Sequence, residues 1–414
     1  MLNCEYVILD LDNKTRLEKF IRDNQDSELQ QVYPISLKGI KKTLKVYRLP
    51  TDYLFYNIRN GRFAAEYKEL IKREGGVLEP EKPEDAKKIK QLLLELDRTE
   101  TKRTYEDLKV RGQWNCGVIT EDGYVVDGNR RMSIISKLYD DTGLEKWKFI
   151  DVARLDESIS SEDLWMLEAG IQLGKDEIVR YGPINELLKL REGISAGLSE
   201  KSIVSVLYGY EDEQEIKIKL NRLDLIEQYL KFIGRPEQYS QVKNRVEHFI
   251  NLQNIIRECK DREFNPDRIS KIKHCSFQLI KEGIPHLELR KIRQMVEKDL
   301  TDAISEIETA AIQLKPTSQL PEESSIEEET IQMMDEFEEE NQEISETRAH
   351  FINATDILSV SNDEGKEINL LNRAEKNLKP LLDYKGDELS TPEAQEVIKK
   401  IASYSEELKK KFCR

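Results

Sequence analysis

The sequence of 414 residues lacks the features of several specialised protein classes. It has no run of about 18 apolar residues, so a transmembrane helix is excluded. No basic segment followed by an apolar stretch opens the chain, so we expect no secretory signal. The five cysteines are odd in number and widely scattered, and the four histidines are isolated. This pattern predicts neither a disulfide framework nor a metal site, and it fits the reducing cytoplasm.

Basic residues are fewer than acidic ones. The sequence has 65 Lys and Arg and 80 Asp and Glu, which gives a net charge of −15. Twelve of the acidic residues and none of the basic ones fall in residues 316–347, so the rest of the chain is close to neutral. We interpret residues 316–347 as an acidic flexible linker, because like charges at this density repel one another. The overall charge neither excludes DNA binding nor supports it, since no broad basic surface is indicated.

The stretch from Gly123 to Arg131 carries the strongest chemical signal in the sequence. Residues 124–126 are aromatic or β-branched and predict a short buried strand, and residues 130–139 have apolar side chains at helical spacing. A strand, a glycine turn and a helix start bring backbone N–H groups together with the guanidinium groups of Arg130 and Arg131, which favours an anion. The alternative is a tight turn followed by an exposed arginine pair.

The residues around this stretch resemble the core of the ParB/sulfiredoxin superfamily. The resemblance is carried by Tyr105–Trp114, by Val118–Thr120 and by the sequence DGYVVDGNRR, which ends at Arg131. Members of that superfamily have a phosphate-binding turn of the G-x-R-R or D-G-x-R-R type at this place. The resemblance assigns nucleotide phosphate binding to five consecutive residues: Asp127, Gly128, Asn129, Arg130 and Arg131.

The same resemblance implies further site residues. Arg59 and Arg62 match the basic loop that follows the first strand in the superfamily and faces the phosphate turn; the alternative is an exposed Asn-Gly turn with incidental arginines. Glu168 is similar to the glutamate of the E-N-I-Q-R box of ParB proteins. The resemblance implies that Glu168 is catalytic and positions water or a Mg²⁺ ion, because charge positioning dominates phosphoryl transfer.

Residues 181–226 resemble the helical domain of ParB proteins. Residues 197–209 look like the first helix and turn of a helix-turn-helix, with Ser199 as a plausible N-cap, and a second helix follows. The candidate DNA-binding cations on that second helix are Lys217, Lys219 and Arg222. Because the helix begins with acidic residues between 211 and 215, which a phosphate backbone would repel, a structural or protein-binding role is an equal alternative.

These patterns predict an α+β N-terminal ParB/sulfiredoxin-like domain, then a mostly α-helical region with a helix-turn-helix-like unit and a C-terminal helical segment. The predicted divisions are a nucleotide-binding domain at 1–160 with a helical insertion at 64–108, a helix-turn-helix-like domain at 161–235, a helical extension at 236–315, the acidic linker at 316–347 and a C-terminal helical unit at 348–414. We expect the insertion to be a lid or a surface arm. The apolar stripe from Val397 to Phe412 indicates a protein partner or self-association, with packing onto its own domain as the alternative.

The resemblance implies a cytoplasmic nucleoside triphosphatase that binds CTP or ATP with Mg²⁺ and acts in a DNA-related process. One alternative is a non-catalytic DNA-binding or regulatory ParB-like protein, whose DNA affinity would depend steeply on salt. Another is a component of a phage-defence or DNA-modification system. Thiol chemistry like that of sulfiredoxin is not expected, because Asn129 stands where that family has a cysteine. We expect no membrane partner.

Overall fold

The structure, a computed structural model, describes residues 10–37, 40–173, 182–207, 210–312, 345–362, 367–382 and 387–412. An N-terminal α/β domain with a mixed six-stranded sheet is followed by a mostly helical region, which confirms this level of the predicted fold class. Within the described residues, none of the helices is both long and apolar enough to cross a membrane. Residues 316–344 of the predicted acidic linker lie outside the described residues.

One sheet organises the N-terminal domain. Its strands are β1 (Glu28–Leu37), β2 (Ile40–Pro50), β3 (Phe55–Tyr56), β4 (Gly117–Ile119), β5 (Tyr124–Asp127) and β6 (Phe149–Arg154). Their order across the sheet is β1-β2-β6-β4-β5-β3. The β1–β2, β2–β6 and β4–β5 pairs are antiparallel, and the β4–β6 and β3–β5 pairs are parallel. The predicted strand at 124–126 is therefore β5, and it lies next to one edge of the sheet.

The helices follow from local capping and apolar periodicity. Those of the α/β domain are α1 (Leu11–Asp23), α2 (Ala64–Glu74), α3 (Pro83–Glu95), α4 (Arg98–Arg111), α5 (Asn129–Thr142) and α6 (Ser161–Leu173). Those of the helical region are α7 (Pro183–Ser195), α8 (Glu200–Val206), α9 (Glu213–Phe232), α10 (Val246–Asp261), α11 (Pro266–Lys281), α12 (His286–Glu297), α13 (Thr301–Ile312), α14 (Glu346–Asn362), α15 (Glu367–Leu382) and α16 (Pro392–Phe412). Ser199 caps α8 as predicted, since its side chain accepts from the N–H of Ser202.

The two faces of the sheet are covered by different helices, because side chains alternate between the faces along each strand. Val125 packs with the side chains of α5 and of the 64–108 segment, and Val126 packs on the other face with Leu167 of α6. Ile89 of α3 is fully buried in the first of these clusters. The segment 64–108 is therefore part of the domain core rather than a surface arm.

The helical region has its own apolar core. Two of the predicted domain boundaries do not match the way the helices pack. Helix α6, predicted to belong with the helix-turn-helix-like unit, also covers the sheet. Helix α14, predicted to belong to a separate C-terminal unit, buries Phe351 and Leu358 in the same core as the helices α9–α13. No residue of α16 is buried. The predicted apolar stripe of α16 thus stays exposed within the part of the chain that the structure describes.

Candidate functional site

A cavity of about 540 Å³ lies between the α/β domain and the helical region. Its walls come from residues 60–69, 93–104 and 127–131 of the α/β domain and from residues 182–185 and 239–243 of the helical region. The charged residues of the lining are Arg62, Arg130, Arg131, Lys243, Glu66, Glu69, Asp97, Glu100 and Asp127. The volume falls in the range of sites that hold small-molecule ligands, about 300–1,000 Å³.

The turn between β5 and α5 lies in the wall of this cavity. Gly128 has φ +110°, a conformation that side chains rarely adopt, and a Cβ there would be 3.3 Å from the Cα of Gly117. The first hydrogen bond of α5 runs from the N–H of Met132 to the carbonyl oxygen of Gly128, at 2.8 Å. The N–H groups of residues 129–131 thus have no acceptor within the helix, and Gly128 provides no side-chain cap. The partly positive end of α5 therefore lies at the cavity.

Three arginines of the cavity carry polar atoms without a partner. Nε of Arg62, Nε of Arg130 and Nη1 of Arg131 are buried and have no hydrogen-bond partner among the described residues. Within the same residues, no carboxylate oxygen lies within 4.0 Å of any of the three side chains; Arg130 makes only a 3.5 Å contact to the carbonyl oxygen of Asp97. Burying a cation without a counter-charge is costly. The three arginines therefore favour an anionic ligand in their part of the cavity, whose lining also carries five carboxylates.

The electrostatics of Arg130 agree with this geometry. Burial lowers the pKa of its guanidinium, and the neighbouring charge of Arg62 acts in the same direction. The carboxylates of Asp97 and Glu100 on the α4 side of the cavity oppose the shift without reversing it. An anion between the arginines would supply the missing compensation, since guanidinium groups bind phosphate in a bidentate manner.

The other residues predicted for phosphate binding have different positions. Asp127 and Gly128 line the cavity. Asn129 also reaches the cavity lining, but its side-chain amide is used internally: Nδ2 donates to the carbonyl oxygen of Val125 and Oδ1 accepts from the N–H of Asn57, both at 2.9 Å. Arg59 is exposed and is not part of the lining. The structure thus places Arg62, and not Arg59, opposite the turn.

Asn60, to which the sequence analysis gave no role, holds the loop opposite the turn. Asn60 donates from Nδ2 to the carbonyl oxygen of Val126, at 3.2 Å, and its Oδ1 accepts from the N–H of Arg62, at 3.0 Å. Lys243, also unassigned, brings a fourth cation to the cavity from the helical region. In the sequence, the asparagines at positions 57 and 60 were the available signal for this loop. The approach of Lys243 depends on the tertiary fold, so no local pattern indicates it.

Glu168 does not have the position expected for a catalytic residue. It is 2% exposed and absent from the cavity lining. One carboxylate oxygen accepts from the N–H of Gly61, at 2.9 Å, and the other accepts from Nζ of Lys189, also at 2.9 Å. The ammonium group of Lys189 also bonds Glu192 at 2.9 Å. Burial alone would lower the pKa of Lys189, but the two carboxylates outweigh burial and raise it. Glu168 therefore positions the loop that carries Arg62.

Of the three predicted DNA-binding cations, two make contacts inside the protein and one is exposed. Nζ of Lys219 lies 2.5 Å from a carboxylate oxygen of Glu186. Arg222 donates to the side-chain oxygen of Gln253, at 3.3 Å, and burial lowers its pKa. Lys217 is exposed. Two of the three cations thus serve contacts inside the helical region, which leaves little positive charge on the expected DNA-reading helix.

No protein-family model, curated protein or solved structure matches this chain. The resemblance to the ParB/sulfiredoxin superfamily therefore depends on the motifs alone, and the function has to be argued from the cavity. Within the described residues, no group of three or more His, Cys, Asp or Glu side chains could hold a metal ion.

Proposed function

We propose that the chain is a ParB/sulfiredoxin-like nucleotide-binding protein whose cavity holds the phosphates of a nucleoside triphosphate, CTP or ATP. The observation that carries the proposal is the set of three buried guanidinium nitrogens, on Arg62, Arg130 and Arg131, that have no hydrogen-bond partner among the described residues. They lie beside the start of α5, which has no side-chain cap. Guanidinium groups and a helix N-terminus are the groups that proteins use to bind phosphate.

The rest of the lining is compatible with the remainder of a nucleotide. Leu96, which is half-buried, supplies apolar surface for a base, and the buried side chains of Phe63, Leu93 and Ile184 lie in the wall around it. A Mg²⁺ ion bound with a triphosphate takes most of its ligands from phosphates and water, so one or two carboxylates are sufficient on the protein side. Asp127 is the carboxylate closest in sequence to the phosphate turn, and it replaces Glu168 as our candidate for that contact.

Hydrolysis is the second part of the proposal. Phosphoryl transfer depends mainly on positioning and on neutralising the charge that develops on the phosphate oxygens. Arg130 and Arg131 would neutralise that charge from the turn, and Arg62 would do so from the facing loop. DNA reading by α9 has less support, because Lys219 and Arg222 make internal contacts.

A thermal-shift screen of ATP, CTP, GTP and UTP with Mg²⁺ tests the proposal. A ligand that binds only the folded state must raise the melting temperature. We expect one nucleotide to stabilise the wild type and the control variant Arg73→Ala, whose side chain is 75% exposed. Arg130→Ala should lose the shift. A shift of equal size in Arg130→Ala would contradict the site assignment, and no shift with any nucleotide would contradict the proposed function.

A further inference from the structure

Asn185, in the first turn of α7, makes three side-chain hydrogen bonds at the wall of the cavity. Its Oδ1 accepts from the N–H of Ala65 at 2.9 Å, and its Nδ2 donates to the carbonyl oxygen of Arg62 at 3.0 Å and to a carboxylate oxygen of Glu66 at 3.1 Å. The residue is 7% exposed. Both amide protons and the amide oxygen are therefore engaged.

The side-chain oxygen of Asn185 caps helix α2, which comes from another part of the chain. Helix α2 begins after Phe63, which makes no side-chain capping bond. The N–H of Ala65 in the first turn of α2 has no acceptor within the helix, and Oδ1 of Asn185 supplies one. A cap alone would need only an oxygen, and a carboxylate or hydroxyl could provide it. The two donors of Asn185 require a different explanation.

One donor fixes the main chain of Arg62. The N–H of Arg62 bonds the side chain of Asn60, and its carbonyl oxygen bonds Asn185. The backbone of this arginine is thus held on both sides, by the α/β domain and by the helical region. A cation whose backbone is fixed in this way loses less conformational entropy when it meets a ligand.

The other donor holds Glu66 away from the cations. Glu66 lines the same cavity as Arg62, yet in the described part of the chain it forms no ion pair within 4.0 Å. A carboxylate that paired with Arg62 would compete with any anion for the guanidinium group. By donating to one oxygen of this carboxylate, Asn185 restrains the side chain of Glu66, which forms no ion pair with Arg62 among the described residues.

We propose that Asn185 is the positioning residue of the cavity: it fixes Arg62 and restrains Glu66, so that Arg62 meets the phosphates of the ligand. This inference rests on the proposed function, and it assigns a role to a residue of the helical region that does not itself bind phosphate. It connects the affinity of the cavity to the placement of α7.

The first test separates positioning from capping by comparing Asn185→Asp with Asn185→Ala. Asp keeps the acceptor for the N–H of Ala65 and removes both donors, whereas Ala removes all three bonds. We expect Asn185→Asp to keep the cap of α2 but to lose some stability, because its carboxylate would lie beside that of Glu66. It should bind inorganic triphosphate about tenfold more weakly or worse, because small displacements of a positioned group are costly. Asn185→Ala should lose both stability and affinity.

The second test is a double-mutant cycle with Arg62→Ala, with affinities for inorganic triphosphate and for the stabilising nucleotide measured by calorimetry. If Asn185 acts through Arg62, Asn185→Asp should have little further effect in the Arg62→Ala background. A loss caused only by the added negative charge would persist there at the same fold-change, and that result would overturn the inference. Failure of the wild type to bind either probe would overturn the proposed function together with it.

Discussion

The cations of the cavity and those of the helical region are of the same residue types but have opposite surroundings. In the helical region, Lys189 contacts two carboxylates, and Arg191 pairs with Asp224 at 2.6 Å and with Glu227 at 3.2 Å. In the cavity, Arg130 and its two arginine neighbours have buried nitrogens without partners among the described residues. The charge of the paired cations is compensated inside the fold, whereas the cavity arginines lack such compensation in the part of the chain that the structure describes.

This difference shows how a binding site can be distinguished from a structural ion-pair network. Charge at a site has to remain available, so the fold surrounds it with few internal partners. Charge in a structural network is satisfied internally and has little left for a ligand. On this criterion the turn at Gly128–Arg131 has the character expected of the proposed site, and the basic face of α9 is mainly structural.

The largest effect on the free energy of unfolding is expected for Lys189, a cation that contacts two carboxylates. Lys189→Met would leave the buried Glu168 without its counter-charge and would remove a partner of the half-buried Glu192. Removing one partner of a buried pair costs about 3–5 kcal/mol. Urea unfolding at neutral pH measures this loss. Lys217→Met, at an exposed position on α9, should change the free energy of unfolding by less than about 0.5 kcal/mol. Equal effects of the two substitutions would break the comparison.

A smaller effect, of opposite sign in the two regions, is expected for two half-buried arginines. Without added ligand, Arg130→Met should leave the free energy of unfolding unchanged or raise it by about 1 kcal/mol, because an uncompensated cation is removed. Arg222→Met should lower it by about 1 kcal/mol, because the bond to Gln253 is lost. Urea titrations of both variants beside the wild type measure the difference. Equal destabilisation by both would indicate a structural role for Arg130.

The smallest effect is expected for His248, a half-buried side chain whose charge depends on pH. His248 contacts the carbonyl oxygen of Ile284 through Nε2, and its Nδ1 is buried without a partner in the described residues. Burial lowers its pKa below the ordinary value of 6.5. Since the unfolded chain then binds the proton more readily, stability should fall as the pH drops through 6.5 towards the folded-state pKa. Thermal melts between pH 8 and pH 5 should show a weaker decline for His248→Gln, and parallel curves would argue against this assignment.

Local patterns predicted much of the N-terminal fold. The strand before Asp127, the glycine turn and the helix that follows are all present, because backbone hydrogen bonding and the φ of Gly128 depend on neighbouring residues. The insertion at 64–108 was predicted to be helical, and α2, α3 and most of α4 lie in it, but it is packed into the domain core and is not a surface arm. Its apolar residues were visible in the sequence, whereas the sheet face that buries them is brought there only by folding.

The site was predicted in part, for the same reason. Asp127, Gly128, Arg130 and Arg131 are consecutive or nearly so, and one turn places them at one cavity. Arg59 and Arg62 lie three residues apart in the same loop and were both assigned to phosphate binding, and the structure puts Arg62 but not Arg59 in the lining. The contact between Glu168 and Lys189 depends on how α6 meets α7, and no local pattern encodes it.

The sequence by itself therefore determined a strand, a glycine turn and an arginine-bearing helix start with the chemistry of an anion site. Only the tertiary structure decided which charges are available there. It paired Lys189, Arg191 and Lys219 with carboxylates of neighbouring helices and left Arg130 and Arg131 without such partners in the described chain. The physical reason is that the free energy of a charge depends on its burial and on its partners, and both are set by elements distant in sequence.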